Sequence, residues 1–191
     1  ELEWIATYGY SLETNQRIED AIGYKQSQFN DIYPYSDIAR CVVDDLGEVV
    51  YYLDDEDSSL QEDGITPSVL DGTDGHLVVE IPEFYYSKSN NEFRVSKEIF
   101  GDAIKFERTY IGFAESSEDE VSNKLKSVIN ERPASLKSMT EFRTMVDNVG
   151  SGWQLSDYKT RDALKVLFAI EYGGVNSQTL IGDGIVADTE V

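Results

Sequence analysis

Short strand-forming runs separated by turn residues fill most of the first two thirds of this sequence, and long helical patterns come only afterwards. This order favours an α+β fold, because a parallel α/β fold would need strands and helices in alternation. The length of 191 residues, 40% of them hydrophobic, is enough for one domain or two small ones. No segment contains the roughly 18 consecutive apolar residues needed to cross a bilayer, so we expect no membrane insertion.

The predicted strands cover residues 38–43, 48–53, 77–86, 92–95 and 106–113. The first two flank a four-residue loop that contains Gly47, which is typical of a β-hairpin. The third is interrupted at Pro82, a residue that suits an edge or a bulge, and the fourth is its expected hairpin partner. Ahead of these strands, the pattern at residues 17–22 predicts a brief helix closed by Gly23.

Two longer helices are predicted near the end of the sequence. Ser138 and Glu141 have the spacing of a capping box, and the apolar residues after them fall on one helical face that ends at Gly150. A second helix is predicted over residues 157–172, closed by two glycines. Both helices are expected to pack on the strands that precede them.

The chain is strongly acidic, with 37 Asp and Glu residues against 16 Lys and Arg residues and a net charge of −21. Binding to a nucleic-acid phosphate backbone would have to overcome like-charge repulsion, so DNA and RNA are excluded as partners. The densest acidic run, residues 54–64, does not have the ligand spacing of an EF-hand calcium loop. We therefore expect a solvated loop, no metal site and no cofactor.

A single cysteine and a single histidine limit the chemistry further. Cys41 cannot form an internal disulfide and lies in an apolar run, which predicts a buried thiol. A zinc site built from His and Cys is excluded, and a Ser-His-Asp arrangement would have to use His76. That residue follows a turn at the start of a predicted strand, so we expect a turn or surface histidine. No catalytic residue is predicted.

Several sequence blocks, taken together, carry a resemblance to a known family. They include DGTDGHLVVEIPEFYY at 71–86, YIGF at 110–113, GSGW at 150–153 and IEYG at 170–173, with further blocks at 29–35, 132–133, 140–143, 176–178 and 181–182. Their order and spacing resemble the C-type-lectin-fold proteins of phage and prophage tails. These proteins are related in fold to the formylglycine-generating-enzyme-like domain and include the target proteins of diversity-generating retroelements.

The resemblance implies a β-rich N-terminal region at residues 1–75 and a C-type-lectin-like core of antiparallel strands with two helices at residues 76–191. In such a core the strand at 77–86 comes first, the two helices pack against it, and a loop-rich C-terminal half carries the ligand surface. The sequence ends at Val191, where the family continues into an aromatic and Asn-rich segment. We therefore expect the ligand-binding half to be lacking, and the ligand-binding residues stay unassigned.

Four residues are expected to have structural roles: Trp153, Glu171, Asn176 and Gln178. Asn176 and Gln178 lie in the segment that follows the second predicted helix. Their side chains would bond to backbone groups that have no partner strand. Glu171 lies at the negative end of the helix dipole, where a carboxylate needs hydrogen bonds. We expect it to accept N–H groups from the turn at 173–177 and so to clamp the chain's exit.

The function that the resemblance implies is that of a non-enzymatic phage virion protein, in a tail fibre, baseplate or surface fibre, that contributes to host attachment. Such a protein would be assembled in the bacterial cytoplasm and would bind other virion proteins and a host-surface protein or glycan. Cyclic symmetry is usual in these assemblies, so we expect a homo-oligomer and choose a trimer. The twelve tyrosines favour a contact surface, because tyrosine gives a large contact area at low entropic cost.

Two alternatives remain open. A carbohydrate hydrolase would need two carboxyl groups facing each other at a defined separation, and Glu80, Glu83, Glu107 and Glu171 lie in or beside apolar segments where a pKa can be raised. A virion assembly adaptor would instead meet a basic partner through its acidic surface, with an association rate that falls as salt is added.

Overall fold

Antiparallel sheets and three helices make up residues 6–182, which the computed structural model describes, and this arrangement is α+β. The strands are β1 (Thr7–Ser11), β2 (Gln16–Glu19), β3 (Ala39–Val43), β4 (Val49–Tyr52), β5 (His76–Ile81), β6 (Phe84–Ser89), β7 (Glu92–Ser96), β8 (Ile104–Phe106), β9 (Thr109–Gly112), β10 (Ser117–Asp119) and β11 (Lys124–Lys126). The α-helices are α1 (Met139–Asp147), α2 (Tyr158–Tyr172) and α3 (Ser177–Ile181), and two 3-10 helices cover Gln26–Asp31 and Tyr35–Asp37.

The chain divides into two compact units, and each is assembled from separate stretches of sequence. The first unit combines Glu83–Glu107 with the described residues that come before Asp37 and after Asp157. The second unit consists of Asp37–Pro82 and Arg108–Asp157. The boundary expected between residues 75 and 76 lies inside the second unit.

Two predicted strands are each divided between the units. The run at 77–86 forms β5 in a four-stranded sheet and β6 in a five-stranded sheet, and the break falls at Pro82, the residue that lacks a backbone N–H. The run at 106–113 likewise forms the end of β8 and the whole of β9, in those same two sheets. The predicted interruption at Pro82 is confirmed, although it separates strands of two different sheets, and the prediction of a single strand at 106–113 is wrong. Strand composition does not indicate which sheet a residue joins.

The first unit is built on the five-stranded sheet, with the strand order β2-β1-β7-β6-β8. The predicted β6–β7 hairpin is confirmed, and Asn90 and Asn91 at its turn both have positive φ, as a tight hairpin turn requires. Helix α2 packs on β1, β6 and β7. The side chains that it buries recur at helical spacing: Ala163, Val166, Leu167, Ala169 and Ile170.

The helix predicted at 17–22 is wrong, because most of this stretch is strand β2 and the turn that follows it. Strand β2 pairs with β1, and the Ile18 side chain covers Gly9 so closely that a Cβ there would lie 2.8 Å from it. A six-residue helical pattern is below the length at which a helix is stable alone, so the pairing with β1 decides the structure.

Arg17 on β2 satisfies the C-terminal end of α2. Its Nε donates to the carbonyl of Ile170 at 2.8 Å, and its Nη2 donates to the carbonyl of Glu171. Its Nη1 donates to the carbonyl of Tyr24 at 2.9 Å. The last carbonyls of a helix have no partner within the helix and carry the negative end of its dipole, so a guanidinium group stabilises them both as donor and as cation.

The second unit contains a four-stranded sheet, ordered β4-β3-β5-β9, and the two-stranded sheet β10-β11. The predicted β3–β4 hairpin is confirmed, and so is the burial of Cys41. Burial, with a smaller contribution from Glu80, raises the pKa of the Cys41 thiol to about 12, so the thiol stays protonated at neutral pH. Helix α1 packs on β11.

The capping box predicted for α1 is confirmed. The Ser138 hydroxyl accepts the Glu141 N–H at 3.3 Å, and the Glu141 carboxylate accepts the Ser138 N–H at 2.7 Å. Two of the unpaired donors at the start of the helix are satisfied in this way.

The acidic segment at 54–64 forms a series of turns closed by its own carboxylates. Asp54 accepts the N–H groups of Glu56 and Asp57 at 2.9 and 2.8 Å, and Asp63 accepts those of Ile65 and Thr66 at 2.9 and 2.7 Å. Within residues 6–182, no group of three or more His, Cys, Asp or Glu side chains is arranged to hold a metal ion. The carboxylates of Asp54 and Asp63 are thus turn-forming groups.

The contacts of Arg17 generate a stability prediction. Replacing it with Met keeps the side-chain length but leaves the carbonyls of Ile170, Glu171 and Tyr24 without this donor. We expect Arg17→Met to lower the free energy of unfolding by about 3 kcal/mol, measured by chemical denaturation. The matched control is Arg161→Met, at an exposed position of helix α2, whose carbonyls Arg17 caps. Its free energy of unfolding should stay within about 0.5 kcal/mol of the parent value. Equal losses in the two variants would contradict the assigned role of Arg17.

Candidate functional site

His76, the only histidine in the sequence, is buried at the start of β5 with 5% of its surface exposed. Its Nε2 lies 3.0 Å from Asp45 Oδ1, and its Nδ1 lies 3.4 Å from the backbone nitrogen of Ser127. Because a backbone N–H can only donate, Nδ1 is the acceptor and the ring proton lies on Nε2. The Trp153 ring packs against it, with the ring centroids 4.5 Å apart. The expectation of a turn or surface histidine is wrong.

Asp45 is the centre of this polar cluster. Burial acts to raise the pKa of its carboxyl, but hydrogen bonds from Lys124 and His76 outweigh burial, so the pKa is lowered. Its backbone carbonyl accepts the Trp153 Nε1–H at 2.9 Å. Both nitrogens of His76 are therefore engaged, and the carboxylate beside it is held ionised by two donors. This arrangement positions loops and leaves no free ring nitrogen for proton transfer.

The His76 cleft, a cavity of about 510 Å³, opens beside this cluster. Its lining includes seven ionisable side chains: Asp44, Asp45, Asp74, His76, Asp119, Lys124 and Lys126. Each of them is already hydrogen-bonded or ion-paired within the protein. Lys124 and Lys126 pair with Asp45 and Asp119, whereas Asp44 and Asp74 accept hydrogen bonds from uncharged donors, so the cleft is a polar surface with a surplus of negative charge.

Trp153, expected to be structural, joins two hydrophobic clusters of the second unit. It packs against the cluster of Cys41, Val43 and Val78, and against a second cluster that includes Met145. Its approach depends on Gly150, where an added Cβ would lie 2.6 Å from the carbonyl oxygen of Asp45. In the block GSGW, Gly150 is therefore needed for the close approach to Asp45, and Trp153 is needed to join the two hydrophobic clusters.

A second cavity, the Trp153 groove, has a volume of about 300 Å³. It is lined by Leu46, Gly47, Arg108, Thr109, Tyr110, Ser151, Gly152, Trp153 and Gln154. The linker between α1 and α2 forms one wall, and strand β9 with the residue before it forms another. This groove combines aromatic rings, amide and hydroxyl groups and a single guanidinium group.

A hydrogen-bonded network holds Arg108 in this groove. Glu80 on β5 accepts the Arg108 Nε–H at 2.6 Å and the Tyr52 hydroxyl at 2.7 Å. The other end of the Arg108 guanidinium donates through Nη2 to the Tyr110 hydroxyl and lies over the Tyr110 ring, 5.3 Å from its centroid. The hydrogen bond to Glu80, followed by burial, raises the pKa of Tyr52 to about 12, so this phenol remains a donor at neutral pH.

The glutamates considered for hydrolysis lie in different places. Glu80 belongs to the second unit and is paired with Arg108, whereas Glu83, Glu107 and Glu171 belong to the first. Lys105 Nζ lies 2.8 Å from Glu83 and 3.1 Å from Glu107. The hydrogen bond with Lys105 is the main reason that the pKa of Glu107 is lowered, which is opposite to what a general acid at neutral pH requires.

Glu171 bonds to a different partner from the predicted one. Its Oε1 accepts the side-chain amide of Gln26 at 2.6 Å, and its backbone carbonyl accepts from Arg17. The predicted clamp on the turn at 173–177 is wrong in its partner, because the carboxylate is turned towards the first part of the chain. Burial raises the pKa of Glu171, opposed in part by Gln26 and Arg17.

Asn176 is the residue before the short helix α3, and Gln178 is the second residue of that helix. The Asn176 side chain caps its start by accepting the Thr179 N–H at 3.3 Å. Gln178 contributes its backbone carbonyl, which accepts the Gly182 N–H at 3.0 Å. The remainder of the expected exit segment, from residue 183 onward, lies outside the described residues.

Sequence reasoning missed Asp45, Arg108 and Tyr110 as members of sites. The signal for Asp45 was weak, because it sits in a hairpin loop where aspartate is common for local reasons. Arg108 and Tyr110 were read as parts of one continuous strand. Their grouping with Glu80 depends on the pairing of β5 with β9, in which Glu80 lies opposite Tyr110, and no local pattern indicates that pairing.

Comparison of the chain with known protein families, characterised proteins and solved structures gives no match. Within residues 6–182, each helix is too short or too polar to span a lipid bilayer. What the chain does must therefore follow from its own residues and their geometry.

The packing of Gly150 against Asp45 generates a second prediction. Gly150→Ala places a methyl group against a backbone oxygen, so we expect a loss of roughly 3 kcal/mol in unfolding free energy. The control is Gly152→Ala, where φ is +92° but no atom lies within 4 Å of the added Cβ, and the expected loss is about 1 kcal/mol. Tryptophan fluorescence should shift only in the first variant, and a larger loss in the control would contradict the close packing.

The buried carboxyl of Glu171 generates a pH-dependent prediction. Its pKa in the folded protein is raised above the ordinary value of 4.5, so the folded state binds the proton more tightly than the unfolded state. Ionisation of this carboxyl therefore lowers the stability of the folded protein, and the loss develops as the pH rises above about 4.5. Glu171→Gln keeps an oxygen that can accept from Gln26, and it should melt at a higher temperature than the parent at pH 7 but not at pH 4.

The control for this experiment is Glu131→Gln, at an exposed position. Its melting temperature should equal that of the parent at pH 4 and at pH 7. If Glu171→Gln melts below the parent at pH 7, the ionised carboxylate stabilises the fold and the cost assigned to its burial is wrong.

Proposed function

We propose that this chain is a non-enzymatic structural protein of a phage virion, part of a tail fibre, baseplate or surface fibre, and that it contributes to host attachment. It would assemble in the bacterial cytoplasm as a homo-oligomer, with a trimer as the preferred state, and bind other virion proteins. The proposal extends to the fold: the antiparallel strands and the two longer helices within residues 76–191 would be the C-type-lectin-like core.

The observation that carries this proposal is the use of the chain's reactive side chains to position its loops and strands. His76 is engaged at both ring nitrogens, by Asp45 and by Ser127. Glu80 is engaged by Tyr52 and Arg108, and the thiol of Cys41 is buried. Side chains that elsewhere do acid–base or nucleophilic chemistry here act as fixed partners, which favours a scaffold that binds over one that reacts.

The sequence blocks that carry the family resemblance also support the proposal. Gly150 and Trp153 make the close contact with Asp45, and the IEYG block contains Ile170 and Glu171, whose carbonyls Arg17 caps. The blocks thus coincide with contacts that determine the fold, as expected if they have been selected for a common architecture. These contacts bear on the architecture, and the attachment role rests on the family resemblance.

Immunogold electron microscopy tests the proposed location. An antibody against this protein would be applied to intact, unfixed phage particles produced by the source, and the denatured particles would be analysed by immunoblotting and mass determination. We expect gold at tail tips or surface fibres and a matching band in the blot. The control is the same antibody absorbed with purified protein, which should leave the particles unlabelled.

Two outcomes would contradict the attachment role. A band in denatured particles without any gold on intact ones would place the protein inside the virion and favour the assembly adaptor. If both the band and the gold label are absent, the hypothesis of a virion protein is rejected. Assays of the purified chain on polysaccharide substrates would then test the hypothesis of a carboxylate hydrolase.

A further inference from the structure

We propose that the Trp153 groove binds a neutral oligosaccharide, so that this chain itself contacts a surface glycan. The inference deepens the proposed attachment function and rests on it. It assigns a ligand class to a group of residues within the described part of the chain, independently of any segment beyond residue 182.

The size and walls of the groove suit one end of a sugar chain. Its volume of about 300 Å³ lies at the lower end of the range found for small-ligand clefts, about 300–1,000 Å³. Tyr110 and Trp153 are half-buried aromatic side chains that line it. A pyranose ring has an apolar face of C–H groups, and the negative face of an aromatic ring is complementary to such polarised hydrogens.

The groove also offers hydrogen-bonding groups that the protein does not use. Arg108 donates through Nε and Nη2, which leaves its Nη1 without a partner within residues 6–182, and 54% of its side chain is exposed. The amide of Gln154 is exposed and has no hydrogen-bond partner in that same part of the chain. Because the Arg108 guanidinium lies over the Tyr110 ring, Trp153 is the aromatic side chain left in the lining to meet the C–H face of a sugar. The guanidinium and the Gln154 amide can then bond to the hydroxyl rim of that sugar.

Arg108 is held in place before any ligand arrives. Glu80 and Tyr110 fix two of its three nitrogens, and Tyr52 in turn fixes Glu80. A donor that is already ordered costs less conformational entropy when a ligand binds, which is the main benefit of preorganisation. For a weakly bound sugar this saving is a substantial fraction of the binding free energy.

The charge of the groove favours a neutral ligand over an ionic one. Arg108 is the only charged residue in its lining, and its charge is balanced by the ion pair with Glu80. An anionic ligand would compete with Glu80 and approach a chain whose net charge is −21. A cationic ligand would meet Arg108. A neutral ligand rich in hydroxyl groups meets neither obstacle.

Two other cavities are less suited to a ligand. The His76 cleft is larger, but the ionisable side chains that line it are all bonded within the protein. A third cavity of about 360 Å³ lies along α1 between Met139 and the linker that follows the helix. Nothing in the described chain indicates what would cover it.

The experiment uses Trp153 as the reporter. The sequence contains two tryptophans, so Trp4→Phe leaves Trp153 as the only one. This variant would be screened on an array that carries neutral oligosaccharides of glucose, galactose, mannose and N-acetylhexosamines together with sulfated and phosphorylated probes. The strongest neutral binder would then be titrated while Trp153 emission is recorded. We expect a saturable change in emission with a Kd on the order of 1 mM.

Three further variants locate the bound sugar. Gln154→Ala removes an exposed amide that bonds to nothing in the described chain, so folding should be unchanged and binding should weaken by about fivefold, the effect of one hydrogen bond. Arg108→Lys keeps the charge but loses the planar fork, and it should weaken binding at least as much. Arg132→Gln, at an exposed position outside the groove lining, is the control and should leave the Kd unchanged.

Several results would overturn the inference. They are the absence of binding to any neutral oligosaccharide on the array, binding that Gln154→Ala and Arg108→Lys leave unaltered, and binding to sulfated or phosphorylated probes alone. Gold labelling of intact particles without sugar binding would reject this site and leave the proposed attachment function standing. Sugar binding without gold labelling would reject the attachment function on which the biological meaning of the site depends.

Discussion

The guanidinium of Arg17 joins parts of the first unit that are more than 150 residues apart in the sequence. Its bonds to Ile170 and Glu171 have sequence separations of 153 and 154 residues. Helix α2 covers the five-stranded sheet, and the donor that satisfies carbonyls at its C-terminal end comes from the first part of the chain. The same side chain bonds to Tyr24 and lies over the Phe29 ring, 5.4 Å from its centroid, so it also orders the segment between β2 and β3.

The second unit depends on a comparable arrangement around Asp45. Its carboxylate bonds to His76 and Lys124, and its backbone carbonyl receives the Trp153 indole N–H. One hairpin-loop residue therefore positions the start of β5, a side chain of β11 and the linker after α1. His76 is the buried member of this cluster, so the loss of a hydrogen-bond partner there would leave a desolvated polar group unsatisfied.

Local signals predicted the elements whose ends are chemically marked. The capping box of Ser138 and Glu141, the β3–β4 loop with Gly47 and the β6–β7 hairpin all follow from short-range rules. Pairings between distant segments did not follow: local pattern predicts a helix where β2 lies, and it does not indicate that the strands on either side of Pro82 belong to different sheets. The same limit applies to the sites, because Glu80 meets Arg108 only through the pairing of β5 with β9, and His76 becomes buried only through contacts with Asp45 and Trp153.

The acidic surplus of the chain has a structural use, which affects how its grooves are interpreted. Asp54, Asp57 and Asp63 close turns by accepting N–H groups, and the hydrogen bonds with Ser122 and Lys126 help to lower the pKa of Asp119 to about 2. Carboxylates with these partners are poor ligands for a metal, so a dense acidic run here indicates ordered loops. In the Trp153 groove, by contrast, the single charge is matched by Glu80, and the unused groups are neutral or already compensated. A ligand that binds by shape, C–H contacts and hydroxyl groups fits that surface better than one that binds by charge.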